Sequence, residues 1–396
     1  MARVAVAFSA FFLILCSYYL LRPVRDAMAV QFGADRLQWL FSATFALTLL
    51  VVPLFGWAVR TFARSTLLPS VYGFLIINLL GFTLAFFSGP TAWTAAAFFV
   101  WLSVFNLFVV SLFWSRMGDC FLTGESHRLY GYIAAGGTCG ALAGPALAAA
   151  IAEHVATAHL LGLSMLLLLA ALLCILMLKE QSQSARPESR PVGGSVLAGI
   201  PLTIRMPDLR GIALLVICYT AVSTVLYIEL VDLVGKQFAS PNARTAFFAR
   251  VDLAVNALAL ILQFLGTRKV VDRFGLRIAL AAVPVVMLAG LAVLTTWRSA
   301  TGFASMQTLH RAGEYALGKP GREMIYTTLD AESRYKAKNF IDTAIYRASD
   351  AANAWIIAAV RAAGLDAVLL VGLPFAAVWL INAIRLGGRH DRNDPT

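Results

Sequence analysis

The sequence predicts an all-α polytopic membrane protein, with twelve transmembrane helices in two halves of six. Three observations carry this. Hydrophobic residues make up 60% of the 396 residues and charged ones 13%, with a mean hydropathy of +0.77, far from the balance of a soluble domain. Apolar runs long enough to cross a bilayer recur along the chain. Lysines and arginines gather in alternate connections between those runs.

The runs lie at about 4–21, 38–60, 66–88, 93–115, 130–152, 158–178, 210–230, 245–267, 277–297, 299–318, 340–361 and 365–386. The seventh, tenth and eleventh each carry several charged residues. The run after Met1-Ala2-Arg3 passes into Tyr18-Tyr19-Leu20 without a small-residue cleavage site. The first helix is therefore expected to stay in the mature chain.

Charge supplies an orientation. With both termini cytoplasmic, the inner segments hold Arg60 and Arg64, then Arg116 and Arg128, then the cluster from Lys179 to Arg210. The same side receives Arg268, Lys269, Arg273 and Arg277, the run from Lys319 to Lys338, and Arg385, Arg389 and Arg392. The connection at Ser88-Gly89-Pro90, on the other side, has no charge. This positive-inside pattern fits twelve spans in a bacterial inner membrane. It also accounts for the net charge of +11. Nucleic-acid binding is excluded, because the basic residues are scattered among short loops rather than gathered on one soluble face.

Cys16, Cys120, Cys139, Cys174 and Cys218 lie in or beside apolar runs without paired spacing, and read as small buried hydrophobes. His127, His154, His159, His310 and His390 form no metal-ligand pattern. Gly318-Lys319 is not followed by the hydroxyl that a phosphate loop requires. With no Ser-His-Asp set visible, neither an enzyme nor an ATP-driven pump is expected, and no cofactor.

The longest polar interruption, Lys179 to Asp208, contains Gln181-Ser182-Gln183-Ser184 and Arg186-Pro187-Glu188-Ser189-Arg190-Pro191. It reads as a flexible cytoplasmic linker (179–208) between an N-terminal half, 1–178, and a C-terminal half, 209–396. Gly124-Glu125-Ser126-His127-Arg128 and Ile133 match Ala331-Glu332-Ser333-Arg334 and Ile341, and the loop opening at Gly56 matches the one opening at Gly266. An offset of about two hundred residues is the mark of a parallel repeat. The loop Val271-Asp272-Arg273-Phe274-Gly275-Leu276-Arg277 resembles the Asp-Arg-x-Gly-Arg motif of major facilitator proteins. There Gly275 permits a tight turn, and Asp272, Arg273 and Arg277 can bridge helix ends during domain motion. The first-half copy keeps Gly56, Arg60 and Arg64 but no Asp. Gly140-Ala-Leu-Ala-Gly144-Pro145 resembles part of a facilitator antiporter motif, the alternative being close packing by small residues.

Two stretches resemble a narrower group, the ATP:ADP antiporter family of plastids and intracellular bacteria. Tyr19-Leu20-Leu21-Arg22-Pro23-Val24-Arg25-Asp26 is similar to its first-helix Leu-Arg-x-x-Lys-Asp signature. Gly321-Arg322-Glu323-Met324-Ile325-Tyr326-Thr327-Thr328-Leu329-Asp330, continuing to Lys336 and Lys338, is similar to its Lys-Glu-Met-x-Tyr-x-x-Leu-Asp segment, and the likeness runs on into Ile341-Asp342 and Arg347. Leu230-Val231-Asp232 with Lys236, and Leu112-Phe113-Trp114, are shorter matches in the same order. The resemblance implies a twelve-helix major facilitator fold and exchange of an anionic, nucleotide-like substrate. Arg25 matches the lysine that family members direct at the substrate's phosphates, and a guanidinium does this with bidentate geometry. The fourth span, Phe99 to Asn106, lacks the Glu of the translocases, which argues against a nucleotide.

Ionisable residues inside spans are functional candidates because facing lipid costs them several kcal/mol. Arg22, Arg25 and Asp26 form the first group, lining a path if the helix continues to about Gln31; the alternative is an interfacial anchor. Arg22 lies roughly 27 Å along the helix from Val4. Asp26 neutralises the arginines rather than carrying protons. Glu229, Asp232 and Lys236 share one helical face at the corresponding end of the seventh span and suit an outer gate, or else a solvated loop. Arg311 with Glu314, and Arg347 with Asp350, are spaced by three, as intrahelical salt bridges or cavity-facing charges. Arg322, Glu323, Lys336, Lys338 and Asp342 suit a cytoplasmic gate, although topology alone also places lysines there. Tyr18, Tyr19, Tyr227 and Tyr346 offer aromatic faces for a base or ring, the alternative being packing.

Together these point to a secondary transporter, working as a monomer in lipid by alternating access and moving a small anionic metabolite, with nucleotides or other phosphorylated compounds first. The alternatives are an exporter of another organic anion or amphiphile, and a non-transporting receptor or assembly protein. The charge skew predicts that the linker around Ser195 is cytoplasmic. Ser184→Cys should therefore resist a membrane-impermeant thiol reagent in intact cells and react after lysis.

Overall fold

The computed structural model describes residues 2–121, 126–178, 199–364 and 368–393. Gly124, Glu125 and most of the expected linker, with Ser184 and Ser195, lie outside these. So do the side chains of Arg60, Arg64, Ser126, His127, Arg128, Arg268, Glu332 and Ser333. Regular structure among the described residues is helical throughout. In a hydrocarbon solvent every backbone N–H must be satisfied within its own segment, and a helix does this.

In chain order the helices are α1 (Ala2–Phe32), α2 (Leu37–Thr61), α3 (Arg64–Phe87), α4 (Ala92–Cys120), α5 (Ser126–Ile151), α6 (Thr157–Met177) and α7 (Gly199–Arg205). They continue with α8 (Pro207–Gln237), α9 (Pro241–Thr296), α10 (Ala300–Gly313), α11 (Lys319–Thr327), α12 (Ala331–Asn339), α13 (Tyr346–Ala362) and α14 (Val368–Asn393). Ten segments among the described residues are long and apolar enough to span, α9 supplying two of them, Pro241–Gly266 and Lys269–Thr296. The other two expected spans are interrupted: π-helical turns at Glu314–Gly318 and Phe340–Ile345 join α10 to α11 and α12 to α13. These are the charged tenth and eleventh runs, whose ionisable residues lower their hydropathy. π-turns of this kind occur frequently at functional sites.

Three boundaries differ from expectation. α1 runs eleven residues beyond the predicted end at 21, carrying Pro23 and the first charge group inside the helix. Pro207–Gln237 likewise encloses Glu229, Asp232 and Lys236 in helix rather than loop. The last part of the expected linker is α7, packed so closely on α12 that a Cβ on Gly199 would lie 2.7 Å from the Lys336 carbonyl oxygen.

Proximity groups the chain into two compact units. The first takes the described residues of Met1–Gly33, Ala46–Ser189 and Gly235–Leu253; the second takes those of Ala34–Phe45, Arg190–Val234 and Ala254–Thr396. In the first unit α1 is the inner helix, packed by α4, α5 and α6. Glycines let α5 approach it. A Cβ at Gly136 or Gly140 would strike the carbonyl oxygen of Phe8 or Phe12, and one at Gly144 would sit 2.6 Å from that of Cys16. Contacts that advance four residues at a time on both helices describe a parallel, small-residue interface, so the Gly140–Gly144 stretch acts in packing. The Ser17 and Ser164 hydroxyls, 2.7 Å apart and each 3.0 Å from the other's backbone carbonyl oxygen, tie α1 to α6. Phe74, Ile77 and Leu84 of α3, and Leu166, Leu173 and Met177 of α6, are exposed, as suits side chains that meet acyl chains.

In the second unit α8 is the inner helix, buried nearly all round from Leu209 to Val234. Thr220 donates to the Ser349 hydroxyl at 2.7 Å, and Asn353 donates to the Ser349 carbonyl at 2.7 Å, a polar seam between α8 and α13. Gly140→Leu should remove most folded protein from the membrane, because overpacking a closed interface costs about 1–3 kcal/mol. Gly131→Ala, at an exposed site with no heavy atom within 4 Å, should leave abundance unchanged by fluorescence-detected gel filtration.

Candidate functional site

The continuous α1 places Arg22, Arg25 and Asp26 within a packed bundle, where each charge needs a partner. Arg25 donates to Asp26 Oδ1 from Nη2 at 2.7 Å and from Nε at 3.0 Å. Its guanidinium also lies 5.1 Å from the centroid of the Phe99 ring on α4. Phe99 belongs to the run that lacks a carboxylate, so Arg25 meets an aromatic face on α4 and finds its counter-charge on its own helix. Arg22 lies 5.9 Å from the Tyr19 ring, and its Nε is 3.7 Å from Asp252 Oδ2. Asp252, 1% exposed, is a lone carboxylate in the eighth span that sequence reasoning passed over. The first unit thus holds two guanidiniums three residues apart, with buried carboxylates beside them.

The second group divides by burial. Glu229 is fully buried, Asp232 half-buried and Lys236 exposed. Glu229 is clamped: Arg298, in the turn before α10, bonds Oε2, and Arg361, near the end of α13, bonds Oε1 at 2.8 Å. Neither arginine was singled out from sequence, where both read as charge near the ends of apolar runs.

The third group also rearranges. Arg347 and Asp350 keep the spacing-of-three contact, at 3.7 Å. Glu314, in contrast, is bound by Arg322 at 2.5 Å, joining the π-turn to α11 with both side chains nearly buried. Its carboxylate lies where a Cβ on Gly318 would be, one turn on. Asp342 is close enough to feel the charges of Arg322 and Lys338. Lys338 reaches Glu323 at 2.6 Å and stands 5.9 Å from the Tyr326 ring centroid. Lys336 is half-buried on α12, beneath α7. Arg311 is buried on α10 beside His310, and the ring of His310 stacks on Tyr219. Tyr18 packs on Tyr19 and Phe105, Tyr227 on Phe41, and Tyr346 on Tyr219.

The turn between the two spans of α9 is built on two glycines and a carboxylate from α14. Gly266 and Gly275 take φ of 97° and 78°, which an L side chain rarely adopts. The helix restarting after Gly275 is capped by Asp391 of α14, whose Oδ1 accepts from Leu276 N at 2.8 Å and Oδ2 from Arg277 N at 3.1 Å. Asp272, Arg273 and Arg277 are exposed, and Arg273 covers the Phe274 ring at 5.6 Å. Among the described residues no group of three or more His, Cys, Asp or Glu side chains could hold a metal ion.

A family model of the Major Facilitator Superfamily matches residues 7–309. Over 332 residues the chain is 24% identical to ADP,ATP carrier protein 1 of Chlamydia trachomatis, covering 72% of the chain and 62% of the carrier. Over 301 residues it is 25% identical to ADP,ATP carrier protein 1 of Chlamydia muridarum, covering 64% and 56%. The chain therefore spans less than two thirds of either carrier. Among solved structures it aligns with a bacterial homologue of the human lysosomal transporter Spinster at a TM-score of 0.63 and 14% identity, covering 99% of this chain and 96% of that one. A nucleoside transporter aligns at 0.65 and 12% identity, over 97% and 98%. At these identities the structural likeness establishes the fold.

Glu229→Gln would leave Arg298 and Arg361 without their shared buried counter-charge. Both arginines are partly exposed, so solvent screens the charges left behind and the loss stays below that of a fully buried pair; the detergent-solubilised protein should still melt below the parent, whereas Asp232→Asn should shift it little. Equal melting of parent and Glu229→Gln would show that the clamp contributes nothing to stability.

Proposed function

The chain belongs to the Major Facilitator Superfamily as a distant relative of the ADP,ATP carriers, and from that premise we propose that it is a secondary transporter of a small anionic metabolite, nucleotides or other phosphorylated compounds first. We place it in the bacterial inner membrane with both termini cytoplasmic, acting as a monomer by alternating access. The observation that carries the reading is the pair Arg22 and Arg25 on a membrane helix, each beside a buried carboxylate, Asp252 and Asp26.

A guanidinium so held is oriented without being permanently neutralised by a carboxylate from α4. Phe99 supplies a face to Arg25 worth about 0.5–2 kcal/mol, less than a phosphate oxygen accepting from the same group. A multiply charged anion can thus compete with Asp26 for the guanidinium, whereas a monocarboxylate needs only one such partner. Two cations three residues apart favour phosphate groups. The Glu314–Arg322 and Glu323–Lys338 pairs, in the segment most similar to the ATP:ADP antiporters, are contacts suited to breaking and re-forming during the transport cycle.

Arg25→Ala should lower exchange about 10- to 100-fold per amount of folded protein recovered, the value of a charged hydrogen bond of about 1.5–3 kcal/mol, while the carboxylate of Asp26 left without that guanidinium lowers the amount recovered. Arg25→Lys should be intermediate, keeping charge without bidentate geometry. ADP or ATP at a hundredfold excess over Kd should stabilise the purified protein by about 2.7 kcal/mol, and Arg25→Ala should diminish that shift. Stabilisation by an unphosphorylated organic anion alone would sink the substrate class, and full exchange by Arg25→Ala would remove the residue from the path.

A further inference from the structure

We propose that α14 and the second span of α9 hold an anionic phospholipid between them, with an acyl chain in the groove they form and the phosphate against Arg277 and Arg392. These residues all belong to the second unit, whereas Arg22 and Arg25 belong to the first. The lipid is therefore a ligand apart from whatever the chain transports.

The groove is wholly apolar. Val285, Ala289 and Ala292 of α9 and Pro374, Ala377 and Leu380 of α14 are among the side chains that line its volume of about 690 Å³. Water finds no side-chain hydrogen-bond partner there, so an apolar occupant is the one that suits it. Beside it Ile278 and Val286 of α9, and Val378 and Ile381 of α14, are exposed, as suits side chains that meet acyl chains.

Positive charge gathers at one end of the groove. The two helices run antiparallel, since a Cβ on Gly372 would meet Leu291 and one on Gly387 would meet the Arg277 backbone. Ala377, Leu380, Ile384 and Gly388, at steps of three and four, carry the line of the groove toward Arg277. Gly388 leaves that line uncovered. A Cβ on it would lie 3.7 Å from Arg277 Cδ, and its carbonyl oxygen accepts from Arg392 Nε at 3.0 Å. Two arginine side chains thus converge on one glycine. Arg385 and Arg389 are exposed on the same stripe of α14 as Arg392. Among the described residues none of Arg277, Arg385, Arg389 and Arg392 is in an ion pair. The nearby carboxylate of Asp391 is engaged by the backbone N–H groups of Leu276 and Arg277, and Asp272 lies on the turn before them.

Topology and the helix dipole both favour basic residues at such an end. Neither requires two of them to fold onto one glycine in line with an apolar groove. Converging guanidiniums gain from an anion that accepts from both, and phosphate suits their paired donors. Arg277 lies about 12 Å along its helix from Val285, within the roughly 15 Å depth of one leaflet's hydrocarbon, so one lipid can reach both. On the orientation proposed above, this end faces the cytoplasm, where basic pockets between membrane helices suit anionic headgroups. A free phosphate would leave the groove empty, and a neutral lipid would leave the cations unanswered. A second copy of the chain, docked about a two-fold axis, would bring the same arginines against one another.

The test titrates delipidated full-length protein in neutral detergent with phosphatidylglycerol and counts bound lipid by native mass spectrometry. Phosphatidylglycerol should bind at least about tenfold more tightly than phosphatidylcholine, the least that a lost charged hydrogen bond is worth. Arg277→Gln combined with Arg392→Gln should weaken its binding by about tenfold or more, and so should Ala377→Phe, which fills the groove. Arg205→Gln, at an exposed site on α7, should leave binding unchanged. Equal affinity for the two lipids overturns the inference, as does parental affinity in the double arginine variant or an equal loss in Arg205→Gln. Glycerophosphoglycerol binding as tightly as the lipid would assign the cations to a free phosphate, and a dimer that excludes the lipid would assign the groove to a second copy; either overturns it. Where Ala377→Phe is not recovered folded by gel filtration, the arginine variant decides alone.

Discussion

The low dielectric around the helices makes an uncompensated charge costlier than a packing fault, and the pairing of buried charges is the constraint on which the other features depend. Arg25 with Asp26, Arg22 with Asp252, Glu229 with Arg298 and Arg361, and Glu314 with Arg322 are the forms it takes. The inner helix of each unit carries such a group, α1 in the first and α8 in the second. There neighbouring helices exclude lipid on several sides, so that counter-charges can arrive. The π-turns follow the same logic, since both fall in the charged spans and one contains Glu314 itself.

The same pairs bear on the proposed transport. A buried pair broken by removing one partner is strongly destabilising, so on the proposed transport reading an anion entering against a guanidinium must take over the role of the carboxylate it displaces. On the proposed transport reading, Asp26 and Asp252 stand in for the negative charge that a substrate would bring to the two arginines. Glu229 is different in kind. Two guanidiniums on one carboxylate leave a surplus positive charge while fixing three separate elements, which suits a structural staple that tolerates a nearby anion.

Backbone approach is the second determinant. Gly136, Gly140 and Gly144 bring α5 onto the carbonyl groups of α1, and a Cβ on Gly387 would collide with the backbone of Arg277 where α14 meets the restarted helix. Asp391 then caps that helix start. An end held by a carboxylate from the last helix is tied to that helix.

Much of this was legible in the residues alone. Hydropathy fixed the all-helical, multi-span character because a bilayer leaves a helix few alternatives, and the run from Arg22 to Asp26 announced itself because charge in such a run is rare. What stayed hidden was which charge meets which. Spacing along one helix found Arg347 with Asp350, but Asp252, Arg298, Arg361 and Asp391 reach their partners across elements far apart in sequence. No periodicity encodes that distance. The length of α1, the π-turn that turns Glu314 toward Arg322, and the enclosure of His310 by Tyr219 and Trp379 were likewise set by packing. The sequence determined that these groups must leave water; the tertiary structure decided their company, because the cost of a buried charge depends on its neighbours in space and not along the chain.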